Sequence, residues 1–194
     1  MRNCLVIDLD RCSGCDSCVV ACKFENNLDL GMYWNRVSVV GPTGTFPDIE
    51  QYWLPTQCQQ CENAPCIAAC PTGASYRDED NGLVLVDKES CIGCQVCIDA
   101  CPYGARSYNE DLNVVEKCTC CVQRLKDGES PACVHNCSCG ARFYGDLDDP
   151  ESDAAKAVAA AGEDACHQLP DANGAAPRTV YILSPKTAAW KEIG

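Results

Sequence analysis

Hydrophobic positions along this chain come in short runs that never hold a helical or strand period for long. Residues 5–10 (Leu5-Val6-Ile7-Asp8-Leu9-Asp10) and 83–87 (Leu83-Val84-Leu85-Val86-Asp87) are apolar runs broken by acids, and they predict short strands. Residues 19–21, 67–69, 98–100 and 134–136 each fill the gap between two cysteines and suit single helical turns. Residues 25–57 are punctuated by Gly41-Pro42 and Phe46-Pro47 and read as an insertion, with Trp34 and Trp53 as packing residues. Residues 122–132 form a second insertion. The Ala-rich stretch 152–161 predicts a helix, with Ser152 or Asp153 as N-cap and Gly162 as its stop. Residues 170–177 read as a loop, 179–183 as a last strand, and Trp190 lies in a tail poor in apolar residues. The expected class is α+β with sparse secondary structure.

Composition sharpens this. Of 194 residues, 20 are cysteine and only 7% are aromatic, so the ordinary core is thin and something else must organise the chain. The net charge of −13 argues against binding phosphate backbones or anionic lipid. No apolar stretch approaches the ~20 residues of a membrane span. The start, Met1-Arg2-Asn3-Cys4-Leu5-Val6-Ile7-Asp8, does not read as a signal peptide, so the expected location is the cytoplasm, with co-export or membrane association through a partner left open. Reduced thiols at such density point to metal rather than to disulfides.

The cysteines fall into four groups of four. Cys12, Cys15, Cys18 and Cys22 have the spacing C-x2-C-x2-C-x3-C. Cys58, Cys61, Cys66 and Cys70 have C-x2-C-x4-C-x3-C, followed by Pro71. Cys91, Cys94, Cys97 and Cys101 repeat the first spacing and add Pro102, which is the bacterial ferredoxin run for a [4Fe–4S] cluster. Cys118, Cys121, Cys133 and Cys137 have C-x2-C-x11-C-x3-C. Two intervening residues let a tight loop wrap a compact core and present successive sulfurs to different irons. Gly14 and Gly93 stand where backbone must approach that core closely. The last cysteine of such a run generally serves a partner cluster. Internal repetition agrees: Asp8, Gly14 and Ala21 match Asp87, Gly93 and Ala100, and C-x-x-G-A recurs from Cys70, Cys101 and Cys137.

Zinc is the first rival, but its sites seldom show four such runs with Cys-Pro ends. A disulfide scaffold would need a secretory signal. His135 and His167 read as solvated or hydrogen-bonding groups. Cys4 reads as a small buried hydrophobe and Cys166 as a free thiol in a polar tail. Cys120 and Cys139 lie beside ligands, and Cys121 is preferred to Cys120 because it keeps the x2 spacing.

These residues resemble the four-cluster iron–sulfur subunit of the dimethyl sulfoxide reductase family of molybdopterin oxidoreductases. The resemblance rests on Cys12-Ser13-Gly14-Cys15, Ala21-Cys22-Lys23 with Asn26, Cys61-Glu62-Asn63-Ala64-Pro65-Cys66, Cys101-Pro102-Tyr103-Gly104-Ala105-Arg106, Lys117-Cys118 and Phe143-Tyr144-Gly145-Asp146. It covers roughly residues 4–150. Gln60 stands where the family often has His, and Ser138 where it usually has Pro; neither removes a ligand.

The resemblance implies two ferredoxin-like modules of two [4Fe–4S] clusters each, with covering loop insertions. One module spans about 1–24 plus 112–150 and the other about 52–111; residues 25–51 are the insertion and 151–194 a C-terminal helix and strand extension. It also implies the pairing: Cys137 with Cys12, Cys15 and Cys18; Cys22 with Cys118, Cys121 and Cys133; Cys101 with Cys58, Cys61 and Cys66; Cys70 with Cys91, Cys94 and Cys97. Spacing alone leaves open the rival pairing of groups one with two and three with four. No acid–base or nucleophile constellation is evident, so the implied role is non-catalytic. The chain would relay single electrons between a donor or membrane-anchor subunit and a large catalytic subunit, which alone carries the molybdopterin. A free polyferredoxin is the alternative. Lys23, Arg106 and Lys117 flank ligands and are candidates for tuning potentials.

Overall fold

The computed structural model describes residues 1–191. In chain order the elements are β1 (Asn3–Asp8), α1 (Ser17–Glu25), β2 (Asn35–Thr45), β3 (Asp48–Gln57), α2 (Pro65–Ala68), β4 (Ser75–Arg77), β5 (Val84–Val86), α3 (Val96–Asp99), β6 (Arg106–Asn109) and β7 (Val114–Lys117). There follow α4 (Val122–Lys126), α5 (Ala132–His135), β8 (Arg142–Asp146), α6 (Asp153–Ala161), β9 (Cys166–His167) and β10 (Val180–Ile182). This is an α+β fold of short helices and small sheets. No described helix is long and apolar enough to cross a membrane.

The largest sheet has the order β8-β1-β10-β9. β1 runs antiparallel to β8 and parallel to β10, with Val6 opposite both Phe143 and Val180. A central strand is covered on both faces, which explains why Cys4, Leu5, Val6 and Ile7 are all buried. Cys4 and Val6 pack toward α6, while Leu5 packs beside Cys18 and Cys133. Helix α6 ends where its sequence says it should. The Ser152 hydroxyl accepts a hydrogen bond from the Ala155 amide at 3.1 Å, and Gly162 closes the last turn at φ 81°.

Three expectations change. Much of the 25–57 insertion is not a loop: β2 and β3 form a hairpin in register from Asn35 opposite Gln57 to Thr45 opposite Asp48. Its breakers, Gly41, Pro42, Gly44 and Pro47, lie at the exposed outer end, where a two-stranded ribbon tolerates missing ladder donors. The second insertion begins with α4. Cys166 belongs to a strand of the main sheet and packs against α6, rather than sitting in a polar tail. The extension beyond residue 150 supplies two of the four strands of that sheet, with β10 inserted between β1 and β9.

Two-stranded sheets β4–β5 and β6–β7 flank the remaining cysteine loops. An aliphatic and aromatic core of Ile7, Leu9, Tyr52, Leu54, Leu169, Tyr181 and Leu183 lies between the main sheet and the hairpin. A second cluster mixes Trp34, Leu83 and Leu85 with Cys22, Cys58, Cys118 and Cys120.

Candidate metal centres

Each cysteine group opens with the same backbone turn. The residue before the second cysteine is left-handed in all four: Gly14 at φ 67°, Gln60 at 50°, Gly93 at 68° and Cys120 at 55°. This conformation costs a side-chain-bearing residue ~1–2 kcal/mol, so Gln60 and Cys120 need local support. Gln60 receives a 2.7 Å bond from the Val84 amide and donates to the Cys118 carbonyl at 3.3 Å. The Cys120 amide bonds Cys118 Sγ at 3.4 Å. Glycine has a further reason at Gly14, where a Cβ would sit 2.2 Å from the Trp53 indole. The hairpin thus brings Trp53 down onto the first cysteine loop.

Short helices then carry the third cysteines. Cys18, Cys66, Cys97 and Cys133 lie in α1, α2, α3 and α5, and all four are buried. Pro65 starts α2 and Pro131 caps α5, positions where a missing amide costs nothing.

Two of the fourth cysteines line a cavity with another group. Cys12, Cys15 and Cys18 line one cavity together with Cys137. Cys58, Cys61 and Cys66 line another with Cys101. Cys22 neighbours Cys118, Cys133 and Cys121; burial first, then those thiols, push it well above the ordinary range. Burial raises the Cys97 thiol and Arg106 draws it back, with Cys66 and Cys70 also in reach. Cys91 is half-buried and Cys94 is exposed.

Amide donors point at several sulfurs. Ser75 N lies 3.4 Å from Cys70 Sγ, Ala141 N 3.2 Å from Cys137 Sγ and Val115 N 3.5 Å from Cys91 Sγ. Asn26 Nδ2 reaches Cys22 Sγ at 3.7 Å and Cys121 Sγ at 3.9 Å. Such donors favour thiolate. At Cys70 burial pushes the thiol up, but the donors together outweigh it and bring the thiol down to about 7. Cys15 is also held at about 7, first by the Ser17 hydroxyl.

Among the described residues, no three Cys, His, Asp or Glu side chains converge tightly enough to hold a single metal ion. The thiols ring a space instead, which suits a multi-atom core. The buried polar atoms without partners agree: all except Gln59 Oε1 are N–H donors, at Trp34, Asn35, Arg106 and Arg142. Arg142 and Arg106 line the two cysteine cavities, and Trp34 packs with Cys22, Cys58 and Cys118. Iron–sulfur clusters with thiolate ligands fit this donor-rich surrounding.

Several participants escape sequence reasoning. Arg142 was legible by extending the C-x-x-G-A echo one position, which reads Arg106, Arg142 and Ser75. Gln60 is a buried brace between Val84 and Cys118. Cys139 lines the cavity of Cys12, with its Sγ 3.2 Å from the Ser13 hydroxyl. Lys23 does not flank sulfur with its charge; its Nζ bonds the Asp29 and Met32 carbonyls.

The fold and its thiol-lined sites define a ferredoxin-type iron–sulfur protein. Two family profiles, both described as 4Fe-4S dicluster domain, match residues 4–71 and 49–147. The chain is 44% identical to a provisionally named iron–sulfur subunit of dimethyl sulfoxide reductase from Halobacterium salinarum, over 96% of this chain and 82% of that protein. It is 40% identical to a sulfite dehydrogenase subunit from Allochromatium vinosum, over 94% and 83%. It is 36% identical to the arsenate respiratory reductase iron–sulfur subunit of a Shewanella species, over 95% and 97%. The chain belongs to the family of iron–sulfur electron-transfer subunits of dimethyl sulfoxide reductase-type oxidoreductases.

Proposed function

We propose that the chain holds four [4Fe–4S] clusters and relays single electrons through them to or from a molybdopterin-bearing catalytic subunit. The first site takes Cys12, Cys15, Cys18 and Cys137. The next takes Cys22, Cys118, Cys121 and Cys133. The third takes Cys58, Cys61, Cys66 and Cys101, and the last takes Cys70, Cys91, Cys94 and Cys97. Cys121 is chosen over Cys120 because it keeps the x2 spacing, which sets Cys120 at the position of Gly14, Gln60 and Gly93. Substrate chemistry belongs to the partner on this reading, and a membrane anchor would be a further polypeptide.

One observation carries the relay. The terminal sites each expose a thiol, Cys15 at one and Cys94 at the other, whereas the middle sites are built almost wholly of buried ones. On this reading the four sites form a row with open ends and a covered centre. A diffusing carrier has less use for a hairpin laid on its first cysteine loop and a C-terminal extension beside its third site.

The pairing is tested by exchange. Cys101→Ser and Cys58→Ser should abolish the same paramagnetic signal, while Cys97→Ser abolishes a different one. Loss of the Cys97 signal in Cys101→Ser overturns the crossed assignment. Purified wild type should carry about 16 irons with matching sulfide.

A further inference from the structure

We propose that three buried cations, Arg142, Lys117 and Arg106, each stand between two successive clusters and raise the potential of both. This rests on the ligand sets proposed above. Arg142 lines the cavity of Cys12, Cys15, Cys18 and Cys137 and is 4% exposed. Its Nη2 donates to Asn35 Oδ1 at 3.0 Å, and its Nη1 has no partner. Cys133 and Cys18, one from each flanking site, both lie close enough to act on its charge. Arg106 repeats this in the other half of the molecule. It lines the cavity of Cys58, Cys61, Cys66 and Cys101, donates from Nη1 to Ser75 Oγ at 2.9 Å, and leaves Nε and Nη2 unpartnered. Cys66 and Cys97, again one from each side, both lie close enough to act on its charge.

Lys117 covers the step between the halves. It is 2% exposed, and its Nζ donates to the Cys118 carbonyl at 2.9 Å and to the Val84 carbonyl. Cys118 belongs to one middle site, and Val84 lines the cavity of the other. Lys117 also lies close enough to Cys58, a ligand of that other site, to act on its charge.

Among the described ion pairs, none involves these three side chains. An uncompensated buried charge is costly. The compensating anion is therefore the thiolate-ligated cluster, whose negative charge grows when it takes up an electron. A fixed cation favours that reduced form, and one placed between two clusters also weakens the repulsion of one electron for the next.

The test uses the iron-loaded protein in its complex, with each cluster followed by paramagnetic resonance during a redox titration. Arg142→Gln should lower the midpoints of the two clusters ligated by Cys18 and Cys133 and leave the other two in place. Arg106→Gln should do the reverse, for the clusters of Cys66 and Cys97. Arg142→Lys and Arg106→Lys keep the charge and should return the midpoints toward wild type. Equal shifts in the Lys and Gln variants, shifts spread over all four clusters, or unchanged midpoints at full iron content overturn the proposal. Where a Gln variant loses iron, the Lys variant decides. Full iron with wild-type midpoints there supports the charge, and lost iron there assigns the arginine to bracing alone. Fewer than four cluster signals in the wild type would instead overturn the ligand sets.

Discussion

Arg106 and Lys117 stand directly opposite each other in the β6–β7 ladder, and both are buried. Like charges at such a pair repel, and burial strengthens the repulsion. Cysteines surround the pair, Cys66 and Cys97 on the Arg106 side and Cys118 and Cys58 on the Lys117 side, and as cluster-ligating thiolates they would offset it. Local chemistry that disfavours the hairpin is thus reversed by what the hairpin holds.

Removing iron should therefore cost structure. β4–β5 has three residue pairs and β6–β7 has four, and isolated ribbons of that size are marginal in water. Chelation under reducing conditions should strip amide protection first from these two ribbons. The strands β1, β8 and β10, which bury their own apolar core, should exchange last. Hydrogen exchange with mass readout checks the order, and uniform loss across all strands would contradict it.

Gly14→Ala should disable one site. The added Cβ would collide with Trp53 at 2.2 Å and would also be forced into a left-handed backbone. Iron content should fall by about a quarter, from ~16 to ~12 per chain. Gly14→Ala with Trp53→Ala relieves the collision but keeps the ~1–2 kcal/mol backbone cost, so it should recover only part of the loss.

Ser152→Ala should loosen α6. The hydroxyl both caps Ala155 N and donates to the Asp146 carbonyl at 2.6 Å, tying the helix to the end of β8. Loss of the cap costs about 1 kcal/mol. The effect should appear as a lower thermal midpoint with unchanged iron content.

The extension is tied to the third site by Arg178, which grips Glu62 Oε2 from Nε at 2.7 Å and from Nη2 at 2.5 Å. The Arg178 hydrogen bond holds the Glu62 carboxyl below its ordinary range. A depressed acid stabilises the fold above its unfolded value, and that contribution fades as pH falls through and below about 4.3. Glu62 is 53% exposed, so solvent screening limits the effect to under about 1 kcal/mol. Glu62→Gln should lower the unfolding free energy at pH 7, and the difference from wild type should shrink by pH 3.

The helix over 153–161 was legible because its signals are local. Ser152 caps three residues ahead and Gly162 stops the turn behind it. The β2–β3 hairpin was hidden by Gly and Pro at its outer end, although Arg36-Val37-Ser38-Val39 alternates polar and apolar. The repeat marks Arg142, but its contact with Cys18 was hidden for another reason: nothing near it in the chain shows that Cys18 lies against it.

The sequence by itself determined the chemistry, because cluster ligation is written in spacings of two and three residues that a single loop can satisfy. It determined the repeat and the kind of family as well. Only the tertiary structure decided which thiols gather around each cavity, where the cations stand between sites, and that β10 slips in beside β1. Those relationships join residues such as Cys18 and Arg142, or Val6 and Val180, across more than half the chain, and no local pattern carries a contact over that distance.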